Sequence, residues 1–243
     1  PTAKARFTAF GMTRRAGRSA DNDPGLAALL STKARVVCMV GKCWDFHVDV
    51  ALGIDRAENL AMIRDSVVHA AAKVDEVVFD AEHFFDGYKA NPAYALDCIR
   101  AASAARWIVL CDTNGGTLPH EIARIVTEVG KHVPGEKLGI HAHNDTGNAV
   151  ANSLAAVEAG VRQVHGTLNG LGERCGNANL VTLIPTLMLK YDGRYALGLG
   201  ESDLRQLTHT ARLLDGLLNR APDRHAPYVG ESAFAHKGGL HVS

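Results

Sequence analysis

Two histidines two residues apart, His141 and His143, close an alternating run that begins at Leu138. Side chains alternate across a strand, so both imidazoles point to one side of it, where they can share a cation. Asn144, Asp145 and Gly147 break the run, and residues 148–160 carry the apolar period of a helix, which puts the pair at a strand's C-terminal end. In parallel α/β folds that end carries the functional loops. The plain alternative for His-x-His is two satisfied polar residues on a strand. The next unit weighs against it: residues 163–169 read as another strand, entering Gly170-Leu171-Gly172-Glu173-Arg174-Cys175-Gly176-Asn177. Glycines there let backbone approach a ligand closely, and the turn presents Glu173, Arg174 and Asn177. Two imidazoles and an amide oxygen suit Zn²⁺ or Mn²⁺, with Mg²⁺ less natural because it prefers oxygen shells. A carboxylate ligand is missing from this set.

Three further strand exits carry reactive side chains. Residues 35–40 form an apolar run of the kind buried on both faces, and Lys42, Trp44, Asp45, Phe46 and His47 follow it, either as a pocket wall or as aromatics packed under a loop. Glu82 follows the run at 76–80, where a solvated loop carboxylate is the ordinary alternative. Thr113 and Asp112 follow the run at 107–110; the threonine can offer a hydroxyl and the aspartate can orient a neighbour, although a simple Asp/Asn/Gly turn reads the same way.

These positions need a scaffold that gathers many strand ends. Short strands at 6–11, 35–40, 76–80, 107–110, 138–143 and 163–169 alternate with helical patterns opened by Pro24 and at 58–73, 93–105, 121–132 and 148–160. An open doubly wound sheet collects its site at one switch point, whereas a barrel collects loops from all its strands, so the expected fold is α/β, a partial TIM (β/α)8 barrel of about six units. Helical patterns at 179–189 and 203–218 and a tail follow. The expected division is a catalytic domain over 1–192 and a helical subdomain with the tail over 193–243.

The chain has 243 residues, 47% of them hydrophobic, enough for a sizeable core. Lys plus Arg and Asp plus Glu are 26 each, so no net field draws nucleic acid or an anionic membrane, and neither is expected as a partner. Five cysteines without a C-x-x-C pair suit reduced thiols in a cytoplasmic protein, and no apolar run is long enough to span a bilayer.

Six segments together resemble one family: HAHND and NGLGERCGN, with AFGMTRR, DAEHFFDGYKAN, LCDTNGGTLP and GESAFAHKGGLH in order. They resemble the acyl-CoA-condensing synthases of the 2-isopropylmalate, homocitrate and citramalate synthase family, a TIM-barrel group, and most of all its citramalate-synthase-like branch. The resemblance implies condensation of acetyl-CoA, as co-substrate, with a 2-oxo acid, pyruvate or 2-oxoisovalerate, assisted by a divalent metal (Zn, Mn or Mg). It implies His141, His143 and Asn177 as metal ligands, Glu82 and His241 as catalytic residues, Thr113 on the substrate carboxylate, His47 near the substrate, and Glu173 with Arg174 organising the glycine turn. His241 is implied to serve the neighbouring subunit of a homodimer. The family's D-T-T-L-R-D-G segment, which supplies a carboxylate ligand and an arginine, is not present, so the chain reads as a partial sequence beginning near the third barrel strand. Two alternatives remain: an acyl-CoA lyase of the same superfamily, and an inactive metal-binding barrel fragment.

Overall fold

The computed structural model describes residues 5–236. The chain divides into two compact units, Pro1–His165 and Gly166–Ser243. This division falls earlier than the expected boundary after residue 192. Within the second unit, Asn169 donates through Nδ2 to Ala211 O and to Asp215 Oδ1, at 3.0 and 2.9 Å, which ties the glycine turn to a C-terminal helix.

The first unit is a six-stranded parallel sheet whose order in space is its order in the chain. Its strands are β1 (Thr8–Met12), β2 (Val36–Lys42), β3 (Glu76–Glu82), β4 (Trp107–Asp112), β5 (Leu138–Ala142) and β6 (Gln163–His165). Helix α1 (Pro24–Leu30) follows β1. After β2 come α2 (Asp45–His47), a π-helical turn (Val48–Leu52) and α3 (Arg56–Ala71). After β3 come α4 (Phe84–Ala90) and α5 (Pro92–Ala101); α6 (Pro119–Val129) follows β4 and α7 (Ala149–Glu158) follows β5. Consecutive parallel βα units in unbroken order are what the partial barrel requires; a doubly wound sheet would reverse direction at its switch point.

Local chemistry sets the helix starts. Pro24, Pro92 and Pro119 occupy first helical positions, where a missing N–H costs nothing. Asp23, Asp55 and Asn91 accept hydrogen bonds from the Leu26, Glu58 and Tyr94 amides, and Glu121 reaches back to the Leu118 N–H. The helix side of the sheet is dry, with Val37, Met39, Phe79, Leu110 and Ile140 fully buried. Each such side chain contributes about 1.5–3 kcal/mol by leaving water. The opposite, inner face holds a second cluster of Val36, Cys38, Val78, Val109 and Cys111, edged by Trp107.

Three local expectations change. Strand β6 ends at His165, because residues Leu168–Gly170 form a 3-10 turn in which Asn169 has φ 57°, a left-handed conformation that no strand continues through. The loop expected after Glu82 contains helix α4, built around Gly87, where an added Cβ would lie 2.3 Å from the Cys43 carbonyl oxygen. Only glycine allows that approach. The helix expected over 203–218 is two pieces.

The second unit contains α8 (Leu180–Leu189), α9 (Glu201–Leu204) and α10 (Leu207–Leu217). Asn179 caps α8 by accepting from the Val181 N–H, and Thr167 bridges to Asn179. All five cysteines are free thiols. Among the described residues no helix is long and apolar enough to cross a membrane.

Candidate active site

The C-terminal ends of β2, β3 and β4 are joined side by side. Register pairs Lys42 with Glu82, and their side chains meet as an ion pair, Nζ to Oε2 2.7 Å, each about four-fifths buried. Both line a cavity of about 390 Å³ that Met12, Thr13 and Val40 also line. Partial burial makes this pair stronger than a surface one, because less water screens it.

His83, immediately after the strand, has φ 55° and ψ 31°. A non-glycine residue there costs on the order of 1–3 kcal/mol and marks a position held by its surroundings. The hold is visible: the His83 backbone N–H donates to Thr113 Oγ1 at 2.8 Å, tying the exit of β3 to that of β4. The His83 ring meets His47 edge-on, centroids 4.1 Å apart, and Trp44 stacks on His47 at 4.8 Å. His83 Nε2 stands 4.0 Å from Glu82 Oε1. Burial, reinforced by the charge of His47 and only partly opposed by Glu82, lowers the His83 imidazole to about 4, so it is neutral at ordinary pH. Asp112 is buried and its carboxyl is pushed up by that burial, against the hydrogen bond that Thr117 donates at 2.8 Å. Asn152 donates to both Asp112 Oδ2 and Thr117 O, at 3.4 and 2.8 Å, fixing the turn that carries Thr113.

On β5 the two histidines take the arrangement that their spacing predicts. The His141 and His143 rings are stacked, centroids 5.1 Å apart and 7° from parallel. The His143 backbone N–H donates to Asp112 O at 3.3 Å. Donor atoms of Asp80, Cys111 and His141 lie within 4.8 Å of one another, and His165 Nδ1 is 3.8 Å from Asp80 Oδ1. Burial lowers the His165 imidazole, with Asp80 opposing. Asp80, His141 and His165 line an inner cavity of about 510 Å³. The two parallel imidazoles of His141 and His143 offer nitrogen donors that fit a borderline divalent cation.

The second unit carries the glycine turn by itself. The Asn177 N–H donates to Gly170 O at 3.2 Å and its Nδ2 to Leu171 O at 3.2 Å. Arg174, at φ 52°, stands 3.6 Å from Glu173 through Nη1 and Oε2. His241 lies outside the described residues.

The structure therefore brings together Glu82, His47 and Thr113 around His83, and His141 with His143. Sequence reasoning passes over His83 and Asp80. Lys42 is legible as part of a possible pocket wall, but its pairing with Glu82 needs the strand register. His83 was read as part of a loop. Asp80 was taken as a strand end, although an acid directly after Val77, Val78 and Phe79 was a usable signal.

Comparison with known proteins follows the same lines. A family model described as HMGL-like matches residues 15–213. The chain is 52% identical to the (R)-citramalate synthase of Aquifex aeolicus (strain VF5), over 98% of this chain and 45% of that protein. It is 36% identical to a 2-isopropylmalate synthase of Prochlorococcus marinus (strain MIT 9303), over 81% of this chain and 38% of the relative. The chain thus spans less than half the length of these curated relatives. In fold it is similar to hydroxymethylglutaryl-CoA lyase from Pseudomonas aeruginosa, with a TM-score of 0.70 at 17% identity, covering 91% of this chain and 72% of that one.

Proposed function

The chain belongs to the HMGL-like family, and from that premise we propose that it carries the active-site chemistry of an acyl-CoA-dependent acyltransferase that condenses acetyl-CoA with pyruvate to give citramalate, in branched-chain amino-acid biosynthesis. The observation that carries the choice of pyruvate is the 52% identity to an (R)-citramalate synthase over 98% of the chain, against 36% for a 2-isopropylmalate synthase. We place it in the cytoplasm, as a homodimer.

In this reading Glu82 removes a proton from the methyl of the thioester, and Lys42, paired to it at 2.7 Å, fixes where the carboxylate points. The resulting carbanion attacks C2 of the 2-oxo acid, and hydrolysis of the thioester releases CoA. Thr113 binds the substrate carboxylate; its position is set by the hydrogen bond it accepts from the His83 amide. His47, with Trp44 stacked on it, lines the substrate side. His141 and His143 would hold a divalent cation, with Asn177 as a third ligand on the strength of the sequence motif, and a cation bound there would supply Lewis-acid polarisation of the carbonyl that is attacked. Glu173 and Arg174 order the glycine turn near the thioester, and His241 assists from the partner subunit; for these the motif resemblance is the support.

The test is CoA-thiol release from acetyl-CoA with pyruvate or 2-oxoisovalerate, with and without added Mn²⁺ or Zn²⁺, and identification of the product by mass. Metal-dependent release with pyruvate and formation of citramalate are expected. Release with 2-oxoisovalerate alone would move the assignment to isopropylmalate formation. Cleavage of a 3-hydroxyacyl-CoA without condensation would favour the lyase reading, and no turnover in either direction the inactive one.

A further inference from the structure

We propose that Asp80 is a positioning residue that orients the His141 imidazole from beneath; the inference rests on the metal-binding role given to His141 above. A carboxylate at 6% exposure, placed after the apolar run Val77-Val78-Phe79, costs several kcal/mol to bury without partners. Its Oδ1 accepts no hydrogen bond among the described residues.

Register explains what that oxygen faces. Asp80 is level with Val109, and Val109 with Gly139, whereas Cys111 is level with His141. Asp80 therefore lies one inward pleat below His141, two strands away. Gly139 occupies that lower level on the histidine's own strand, and an added Cβ would meet Val109 Cγ2 at 2.9 Å and Gln163 Oε1 at 3.0 Å. Val109 and Gln163 fill the space that a β5 side chain would take there, so the layer beneath the imidazole is built by the neighbouring strands, and Asp80 is its carboxylate. Donor atoms of Asp80 and His141 are within 4.8 Å. His165 flanks the same oxygen, Nδ1 at 3.8 Å, with its ring 5.5 Å from that of His141. The Cys111 thiol, third in the cluster, donates to Val109 O at 3.6 Å and so does not occupy the carboxylate.

An imidazole that gives one nitrogen to a cation has an N–H on the other, and a carboxylate accepting that N–H fixes both tautomer and ring plane. Loss of such a partner typically weakens metal affinity by about 10–100-fold.

The experiment measures Zn²⁺ affinity of the full chain by chelator competition for wild type, Asp80→Asn, Asp80→Ser and His141→Ala, together with the His141 ring proton resonance of the zinc-loaded wild type. Expected are a loss of roughly 10–100-fold in both Asp80 variants, a larger loss in His141→Ala, and a slowly exchanging, downfield ring N–H in wild type. The ring proton reads the contact without any variant having to fold. Its absence, or wild-type affinity in folded Asp80→Asn beside weak binding in His141→Ala, overturns the inference alone. Wild-type affinity in His141→Ala overturns the metal reading and the inference with it.

Discussion

Lys42 Nζ and Glu82 Oε2 are 2.7 Å apart, an ion pair that joins the C-terminal ends of two neighbouring parallel strands at a position where the register makes them direct partners. A proton acceptor so held has its direction set by the sheet rather than by a loop.

Replacing Glu82 with Gln is expected to lower kcat by about 10²–10⁴-fold, the usual worth of a positioned acid or base. Lys42→Met keeps the length and removes the charge, so kcat should fall less, while KM for pyruvate changes little. Steady-state kinetics decide this. A Lys42→Met enzyme with a raised KM and unchanged kcat would mean that the lysine binds substrate and does not position the base.

His141→Ala and His143→Ala should each abolish tight metal binding, because neither remaining donor replaces an imidazole. Metal content after dialysis is the readout. Full stoichiometry in both variants would make the stacked pair structural.

The depressed His83 imidazole makes stability depend on pH. Unfolded, it titrates near 6.5; folded, at about 4. Between those values the unfolded chain binds more protons, so this contribution is complete above the upper value and is lost as pH falls toward the lower one. His83→Gln should flatten the decline of urea midpoints between about pH 7 and pH 4. An unchanged decline would assign it to other groups.

Gly87→Ala places a methyl 2.3 Å from Cys43 O and 2.9 Å from Trp44 Cα, both backbone atoms that cannot swing aside. A cost of about 1–3 kcal/mol is expected, with Tm lowered by roughly 5 °C. Calorimetry at wild-type Tm would show that α4 is looser against the β2 exit than its geometry indicates.

All six strands and the paired histidines could be read from the sequence because each rests on short-range periodicity: residues 35–40 as an apolar run, His141 and His143 by spacing. What could not be read depends on alignment between segments. Nothing in residues 41–47 says which residue of β3 stands opposite Lys42, and nothing near Asp80 says that its carboxylate lies one inward pleat below His141. Phe84–Ala90 shows no helical period in the sequence, and the Cys43 carbonyl, distant in the chain, is what requires the glycine within it. Asn169 ended β6 early by adopting a backbone conformation that side-chain patterning does not encode.

Because β1 to β6 lie in space in the order in which they occur in the chain, each of β2 to β6 finds its neighbour in the segment synthesised just before it. The sheet can lengthen one strand at a time as the polypeptide leaves the ribosome, without waiting for a distant partner to appear. At each stage the newest strand is the bare edge, and the segment that covers it is the next to emerge. A pause in translation after β4 would therefore hold an intermediate with Trp107–Asp112 unpaired on one side, before the histidines of β5 have been made.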